Sequence, residues 1–585
     1  MAEIDPITLA VVWNSMINIC EEMGYVLCRT AYSEAVREAQ DMSTALFDPQ
    51  GRLVAQGVYT PGHLGAMRFA LGHALRAYPA ETLRPGDGIL LNDIAMGAGH
   101  LPDMFSFTPV FHQGRLVAFT GSSAHHIDVG GAAPGSQAVE GIVDTYQEGL
   151  RIIPVKYFEN DRPVEQVFKF IEANVRVPEK VVGDIKAQMN ANRIGGLRIC
   201  ALIEKYGLPT FNQCLEEMIR RSEAAMRASI REIPDGTYAF EDYLDDVGRN
   251  TDPVKVRVTV TIEGDEVAVD FTGSGPQTES GINCYINFTY AYALYSLRSL
   301  TDPTIPQNEG CFRPLKVVAP EGSFFNPRHP APGGGRAIIA NRIVDCIMSA
   351  MSQALPQRAI AACSHFSNAT VGGLDPRTGR PFVYYDLLMG GFGARPVKDG
   401  IDGIASGFNT GNIPVEVYEI NYPVLIERQE YIPDSAGAGK YRGGTGIRKD
   451  VRILTEKVRL TCLSDRQRFV PFGLFGGGPG ALGATILNPG PNETRLHSKG
   501  VYPLLRGDVI SFRVSGSGGW GHPSERDPQA VLRDVRDGLV SAEQARNVYG
   551  VAIDTSTWTV LAEETAALRA GVRTGGHSGR RGDGH

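Results

Sequence analysis

Histidine and aspartate side chains grouped in one short stretch are the part of this chain best suited to do chemistry. Two residues separate His100 from Asp103, and His125 and His126 follow after a further twenty-one residues. Imidazole nitrogens and carboxylate oxygens are ligands that proteins use for zinc, iron and manganese. If these side chains converge, they could hold one divalent transition metal; the alternative is a polar pocket that histidines merely line.

The residues between the two groups predict a β-hairpin that would bring them together. Two apolar-rich segments flank a tight turn at Gln113 and Gly114. A two-residue turn places Asp103 opposite Ala124, and a three-residue loop shifts the register by about one residue and places it opposite His125. Because directly opposed side chains have Cβ atoms about 5 Å apart, the hairpin predicts that Asp103 and a histidine converge.

Two further histidines have open roles at this point. Neighbours along a strand point to opposite faces, so only one of His125 and His126 is a direct ligand unless the strand bulges. The other is a candidate for orienting a ligand or for proton transfer. His63, in the segment Pro-Gly-His-Leu-Gly, either lines the same cavity or caps a helix predicted over residues 67–78.

Composition limits the classes of protein to consider. The chain has 585 residues, too many for one hydrophobic core, so two to four domains are expected. The net charge of -8 and the lack of a long Lys/Arg run argue against a nucleic-acid partner. No uncharged apolar run reaches the roughly 18 residues of a membrane span. Nine dispersed cysteines and an amino terminus without signal-peptide features favour a cytoplasmic protein.

Hydrophobic periodicity predicts a mixed α/β fold of several domains, with antiparallel sheet-rich regions and flanking helices. Helices are expected up to about residue 30 and over 67–78, 178–231 (as two), 336–363 and 527–549. Strands are expected over 41–55, 254–271 and 419–515. The predicted division is an N-terminal metal-site domain (1–235), a central α/β domain (236–415), a glycine-rich β domain (416–526), a C-terminal helical segment (527–570) and a disordered tail (571–585).

Two common active-site motifs are missing from the sequence. There is no G-x-x-x-x-G-K-[ST] phosphate-binding loop, so we expect no tight binding of ATP to this chain alone. There is also no G-x-S-x-G segment, which argues against a serine nucleophile of the α/β-hydrolase type.

Several motifs spread along the chain resemble one known family. The carriers are Asp41-Met42-Ser43, Pro61–Gly65, the segment 92–131, Asp434–Gly444 and Gly518–Gly521. Over about residues 4–550 the sequence resembles the hydantoinase B/oxoprolinase family, the B-type subunits of ATP-dependent hydantoinases, lactamases and 5-oxoprolinases. One departure is Trp-Gly-His-Pro at residues 520–523, where the family usually has Tyr-Gly-Asp-Pro.

The resemblance implies a ligand set, a cofactor and a partner. The metal (manganese, zinc or iron) would be held by Asp41, His100, Asp103 and His125, which resolves the histidine pair toward His125. A separate A-type ATPase subunit, carrying ATP and magnesium, would phosphorylate the amide oxygen of a small cyclic substrate. This B-type chain would then complete ring opening, within a hetero-oligomer such as a dimer of heterodimers. His126, or Asp128 nearby, is the candidate proton shuttle.

Two other functions fit the resemblance less directly. Related chains are subunits of ATP-dependent ketone carboxylases, of the acetone or acetophenone type, and bicarbonate dependence with a ketone substrate would favour that function. A third possibility is a non-catalytic assembly subunit whose metal only stabilises the fold. A closed four-ligand site without an open position would favour this structural role.

Overall fold

The computed structural model describes residues 4–97, 99–404 and 407–575. Its N-terminal part is one large sheet between helices. The elements are α1 (Pro6–Thr30), α2 (Glu34–Arg37), β1 (Met42–Phe47), β2 (Leu53–Gln56), α3 (Pro61–Ala77), β3 (Gly88–Leu91), β4 (Asp103–His112), β5 (Arg115–His125), β6 (Val155–Glu159), β7 (Arg162–Pro163), α4 (Glu165–Asn174), α5 (Pro178–Tyr206) and α6 (Leu208–Ile230).

The first helix begins and ends where the sequence predicts. The Asp5 carboxylate accepts the Thr8 backbone N–H at 2.8 Å and Pro6 occupies the first helical position, so the amino end is capped. The seven strands pair in the order β2-β1-β5-β4-β3-β6-β7. Helices α1, α5 and α6 cover one face of the inner strands, and α3 packs on the other.

The central part is a smaller sheet covered by helices. Its elements are β8 (Gly236–Leu244), β9 (Val254–Glu263), β10 (Glu266–Asp270), α7 (Ile286–Leu300), α8 (Glu309–Phe312), β11 (Leu315–Val318) and α9 (Ala337–Met351). The helix α9 is shorter than the 336–363 predicted, and Cys363 lies beyond it. Pro356 explains the difference, because proline disfavours helical backbone at the residue before it.

Two further sheets pack face to face. Their elements are β12 (Ser367–Leu374), β13 (Pro381–Leu388), α10 (Val415–Asn421), β14 (Val424–Tyr431), β15 (Ile447–Ile453), β16 (Lys457–Thr461), β17 (Ala484–Leu487), β18 (Thr494–Leu496), β19 (Val501–Leu505) and β20 (Val509–Arg513). One sheet has the order β13-β12-β16-β19 and the other β14-β15-β20-β17-β18. Because β12 pairs with the later strand β16, the boundary predicted at residue 415 runs through a sheet.

The C-terminal segment is helical, with one short hairpin. It contains α11 (Pro528–Arg536), α12 (Ala542–Asn547), β21 (Ile553–Asp554), β22 (Thr559–Val560) and α13 (Ala562–Gly575). The single helix predicted over 527–549 is two helices, because Gly538 has a φ of 73° and ends the first. Residues 571–575, predicted as part of a disordered tail, belong to α13, and residues 576–585 lie outside the described residues.

A buried cluster of charges joins the central part to the β-sheets. Asp465 accepts from Arg342 at 2.8 Å and from Lys499 at 3.1 Å, and all three side chains are fully buried. Arg342 also pairs with Asp242 on β8 at 2.6 Å, and Arg466 pairs with Asp345 on α9 at 2.6 Å. These contacts fix α9 between the two parts of the chain.

The multi-domain α/β architecture with mostly antiparallel sheets confirms the predicted fold class. All nine cysteines are free thiols. Across the described ranges, no helix combines the length and apolar character that crossing a membrane requires.

Candidate metal centre

Asp41, Asp103 and His125 lie in one row across three neighbouring strands. Asp103 begins β4 and is paired directly with His125, the last residue of β5. The His125 backbone N–H donates at 3.0 Å to the carbonyl of Asp41, which immediately precedes β1. Because neighbouring strands are about 4.8 Å apart, this row brings three potential ligands to the same end of the sheet.

The pairing of Asp103 with His125 confirms one of the two predicted registers, but for an unexpected reason. The turn is the two-residue form, with His112 opposite Arg115 and positive φ at Gln113 and Gly114. A bulge between Val110 and Phe111 then shifts the ladder by one residue. The bulge, and not a longer loop, therefore selects His125 over Ala124.

His100 completes a compact group with Asp103 and His125. The Asp103 Oδ1 atom lies 2.8 Å from His100 Nε2 and 3.1 Å from His125 Nδ1. One potential ligand atom from each residue lies within 4.8 Å of the others, and all three side chains are buried. Asp41 lines the same cavity without joining this tight group. The structure thus brings together all four residues proposed as ligands.

His63 lines this cavity, so the first of its two open roles is correct. The helix α3, predicted to start near residue 67, starts at Pro61. Thr60 precedes the helix, and Pro61 occupies the first helical position, where proline is favoured. His63 therefore sits in the first turn, with Nε2 3.1 Å from Asp103 Oδ2 and 3.9 Å from Asp41 Oδ1. Burial lowers the pKa of His63, but the carboxylates of Asp103 and Asp41 more than offset this, so the pKa is raised overall.

Three side chains, two of them from distant parts of the chain, were missed by sequence reasoning. The Arg336 guanidinium, just before α9, pairs with Asp103 Oδ2. The Tyr385 ring on β13 stacks on His125 with centroids 4.6 Å apart. Gln137 faces His125 Nε2 at 3.2 Å and accepts from Asn368 at 2.7 Å. The run of glycines before Arg336 was a sequence signal for a site at that position. No motif near Gln137 or Tyr385 indicated that these residues belong to the site.

The donor set and the space fit a metal ion. The Nδ1–H of His100 donates to the Gly334 carbonyl at 3.2 Å, which turns Nε2 toward the cavity and the Asp103 carboxylate. Such a carbonyl partner on one ring nitrogen is the usual way to orient a histidine ligand. The cavity holds about 20 Å³, enough for one water molecule or one ion.

The protonation states in this cluster leave the potential ligand atoms without a proton. Burial and the nearby Arg336 lower the pKa of His100 to about 3, so its ring is neutral. Burial favours protonation of Asp103, but His63 and Arg336 outweigh it and hold the pKa of Asp103 well below its usual range. Neutral imidazole and ionised carboxylate are the forms that bind metals.

His126 and Asp128, the two candidate proton shuttles, lie elsewhere. His126 Nε2 is 3.2 Å from Gln188 Oε1 on α5, on the opposite face of the sheet from His125. Asp128 accepts backbone N–H groups of Gly130 and Gly135 and pairs with Arg176 at 2.8 Å. Neither is among the described residues that line the cavity.

A buried glutamate supports the loop that carries Arg336. Glu148 Oε1 accepts the backbone N–H groups of Gly333 at 2.9 Å and Gly334 at 2.5 Å. Burial raises the pKa of Glu148 to about 8, although these hydrogen bonds act in the other direction. In an unfolded chain a glutamate has a pKa of about 4.3.

This difference predicts a pH dependence of stability. A raised pKa in the folded state gives a stabilising contribution that is full below about pH 4 and is lost as pH rises through about 8. We therefore expect Glu148→Gln to gain stability relative to the wild type between pH 5 and pH 8. Thermal unfolding of both proteins across this range is the measurement, and parallel curves would contradict the prediction.

Fold and site together define a class: multi-domain α/β proteins with a buried histidine–aspartate cluster at one end of an antiparallel sheet. The family model described as Hydantoinase B/oxoprolinase matches residues 5–523. The chain belongs to the hydantoinase B/oxoprolinase family.

Individual relatives agree with this assignment. A protein of Pseudomonas sp. (strain NS671), provisionally named as the B subunit of a D-/L-hydantoinase, is 34% identical over 592 residues, covering 97% of this chain and 98% of the relative. The crystal structure of ATP-dependent caprolactamase from Pseudomonas jessenii matches with a TM-score of 0.89 and 30% identity, covering 97% of this chain and 100% of that one. Nucleotide-free acetone carboxylase shares the fold, with a TM-score of 0.89 at 20% identity and coverage of 98% and 83%.

Proposed function

We propose that this chain is the metal-containing B-type component of an ATP-dependent cyclic-amide hydrolase. It would complete ring opening of a hydantoin, 5-oxoproline or lactam that a separate A-type subunit has phosphorylated. The observation that carries the proposal is the buried group of His100, Asp103 and His125 in a chain of this family. The names of the hydantoinase and caprolactamase relatives support cyclic amides as the substrate class.

Asp41, His100, Asp103 and His125 would hold one divalent manganese, zinc or iron ion. Such an ion supplies Lewis acidity for the developing negative charge and lowers the pKa of bound water. Arg336 and Gln137 would keep the ligands in place, the first through Asp103 and the second through His125. Partners of this kind typically change metal affinity or activity by about 10–100-fold.

His63 is better placed than His126 to transfer a proton. Its side chain lines the cavity, and its Nδ1 atom is buried without a hydrogen-bond partner. His126 is directed at Gln188 on the other face of the sheet. We therefore assign the proton-transfer role to His63, with Nδ1 as the atom that accepts or releases the proton.

The energy for ring opening would come from the partner. An amide carbonyl is a poor electrophile and a lactam nitrogen a poor leaving group, so phosphorylation of the oxygen is needed to activate the carbon. This chain has no phosphate-binding loop, and the names of relatives include the word subunit. Because an activated intermediate is labile in water, the two proteins should dock stably, with well over about 1,000 Å² buried.

Reconstitution tests the proposal. The chain is mixed with a candidate A-type ATPase subunit from the same organism, and ATP hydrolysis and ring opening are followed with hydantoin, 5-oxoproline and caprolactam. We expect both activities to require both proteins. Full ring opening by either protein alone would refute the two-subunit function, and carboxylation of a ketone in the presence of bicarbonate would replace hydrolysis by the carboxylase alternative.

A further inference from the structure

Asn368 places a buried amide in the wall of the metal cavity. Its side chain is 2% exposed and lines the cavity together with Leu387, its partner on β13, and Tyr385. The amide nitrogen Nδ2 donates to Gln137 Oε1 at 2.7 Å. The amide oxygen Oδ1 is buried without a hydrogen-bond partner among the described residues. An unpaired polar atom buried beside a cavity indicates a ligand that completes its hydrogen bonding.

Gln137 connects this amide to the proposed ligand His125. The amide nitrogen of Gln137 lies 3.2 Å from His125 Nε2, so His125, Gln137 and Asn368 form one chain of hydrogen bonds. We call these three side chains the relay. The oxygen and the NH2 group of a primary amide occupy nearly the same space, so each amide can be reversed in place. The direction of the relay is therefore set by the proton that His125 carries.

Metal binding at His125 would fix the position of that proton. The ring nitrogen that faces the other ligands is Nδ1, at 3.1 Å from Asp103 Oδ1, whereas Nε2 lies against Gln137. A metal-binding nitrogen carries no proton, so the neutral ring then has its proton on Nε2. Gln137 must therefore offer its oxygen to His125. The Tyr385 hydroxyl also contacts the Gln137 side chain and can donate to the same oxygen, which has two lone pairs.

The reversal of Gln137 determines the direction of Asn368 as well. With its oxygen toward His125, Gln137 turns its NH2 group to the Asn368 amide, 2.7 Å away, where it needs an acceptor. Asn368 must place its oxygen at that position, and its own NH2 group then takes the place of the unpartnered atom. A metal ligand at one end of the relay thus gives the cavity wall an unpaired hydrogen-bond donor at the other end.

We propose that Asn368 is a catalytic residue whose NH2 group donates a hydrogen bond to an oxygen of the bound substrate. Donors that are fixed in place before the reaction stabilise negative charge that develops on oxygen. The relay fixes this donor, and the burial of Asn368 keeps competing water away from it. The contact with substrate rests on the proposed function, whereas the direction of the relay rests only on His125 as a metal ligand.

Co²⁺ bound to the full chain is the probe for the direction of the relay. It shifts the ring N–H of each ligand histidine to a separate, exchangeable proton NMR signal, and ¹⁵N-labelled histidine identifies the nitrogen that carries the proton. We expect an Nδ1–H from His100, which donates to Gly334, and an Nε2–H from His125. Gln137→Leu should remove the second signal, because its proton then exchanges quickly with water. A His125 proton found on Nδ1 would overturn the inference.

Gln137→Glu separates support of the ligand from the direction of Asn368. Its carboxylate accepts from His125 Nε2, so the affinity of the chain for Zn²⁺ should be kept or increased. It also accepts from Asn368 and turns the NH2 group out of the cavity. Ring opening by the reconstituted pair at saturating Zn²⁺ should then lose about 10²–10³-fold in kcat, the usual effect of removing one such donor. Unchanged kcat in this variant would overturn the inference.

Asn368→Leu removes the donor directly and completes a double-mutant cycle. It should lower kcat by about 10²–10³-fold in the wild-type background. In the Gln137→Glu background the donor is already turned away, so the further loss should stay below about threefold. Asn192→Leu is the control, because Asn192 also has a buried, unpartnered Oδ1 but does not line the metal cavity. It should keep the wild-type kcat, and thermal unfolding compares the damage to the fold in all variants.

The outcomes distinguish this inference from the proposed function. Wild-type kcat in Asn368→Leu, or equal losses from Asn368→Leu in both backgrounds, would overturn the inference even if the wild-type pair opens lactam rings. If the wild-type pair opens no ring, the proposed function fails, and the catalytic role of Asn368 fails with it. The Co²⁺ spectra then still decide the direction of the relay.

Discussion

Replacement of His125 by alanine is expected to remove the metal and to reduce ring opening by the reconstituted pair at least a thousandfold. His125 supplies one of three grouped ligand atoms, and the paired Asp103 cannot replace an imidazole. The neighbouring His126 gives a matched control, because it is equally buried but contacts Gln188 on the other face. His126→Ala should keep about one metal per chain and most of the activity.

Elemental analysis after dialysis and ring-opening rates measured on the same samples decide this prediction. Thermal unfolding of both variants controls for damage to the fold, since each substitution leaves a similar cavity in the sheet. Full metal content in His125→Ala, or equal loss of metal in the two variants, would show that the proposed ligand set is wrong. A wild-type protein prepared with care and found to contain no metal would do the same.

The buried charge cluster predicts the largest effect on stability. Asp465→Ala leaves Arg342 and Lys499 without their shared carboxylate inside the protein. Breaking a buried pair by removing one partner typically costs about 3–5 kcal/mol, because the remaining charge stays desolvated. Unfolding of Asp465→Ala should therefore begin at a clearly lower temperature than that of the wild type.

An exposed ion pair on the same β-sheet region is the control. Glu456 and Arg506 lie 3.2 Å apart, with 84% and 67% of their side chains exposed. Such surface pairs contribute about 0–1 kcal/mol, so Glu456→Ala should unfold almost as the wild type does. Calorimetry and resistance to proteolysis compare the three proteins, and equal shifts for both variants would contradict a stabilising role of the cluster.

Local pattern and pairing geometry were enough to predict much of the fold and part of the candidate site. The helix α1, the hairpin β4–β5 and the convergence of Asp103 on a histidine all follow from periodicity, turn residues and strand pairing. Hydrophobic pattern alone gave wrong limits for three helices, α3, α9 and α11. Proline or glycine residues explain where these helices begin or end.

Contacts between distant segments could not be predicted in the same way. Arg336 and Tyr385 reach the site from more than 230 residues beyond Asp103. The hydrophobic periodicity of a single sequence does not predict which loop of one domain will cover the end of a sheet in another domain. The same limit applies to the boundary at residue 415, because β12 pairs with β16 across it.

Because the ladder shifts at the bulge between Val110 and Phe111, the number of residues in the hairpin β4–β5 determines which side chain lies opposite Asp103. Side chains alternate between faces, so a one-residue insertion or deletion between the bulge and the end of β5 would turn His125 to the face of α5. A deletion would place His126 opposite Asp103, and an insertion would place Ala124 there. Among homologous sequences, the tip around Gln113 can then vary among the residue types that tolerate a positive φ. Single-residue insertions and deletions in this hairpin should be rare, and those that persist should come in compensating pairs.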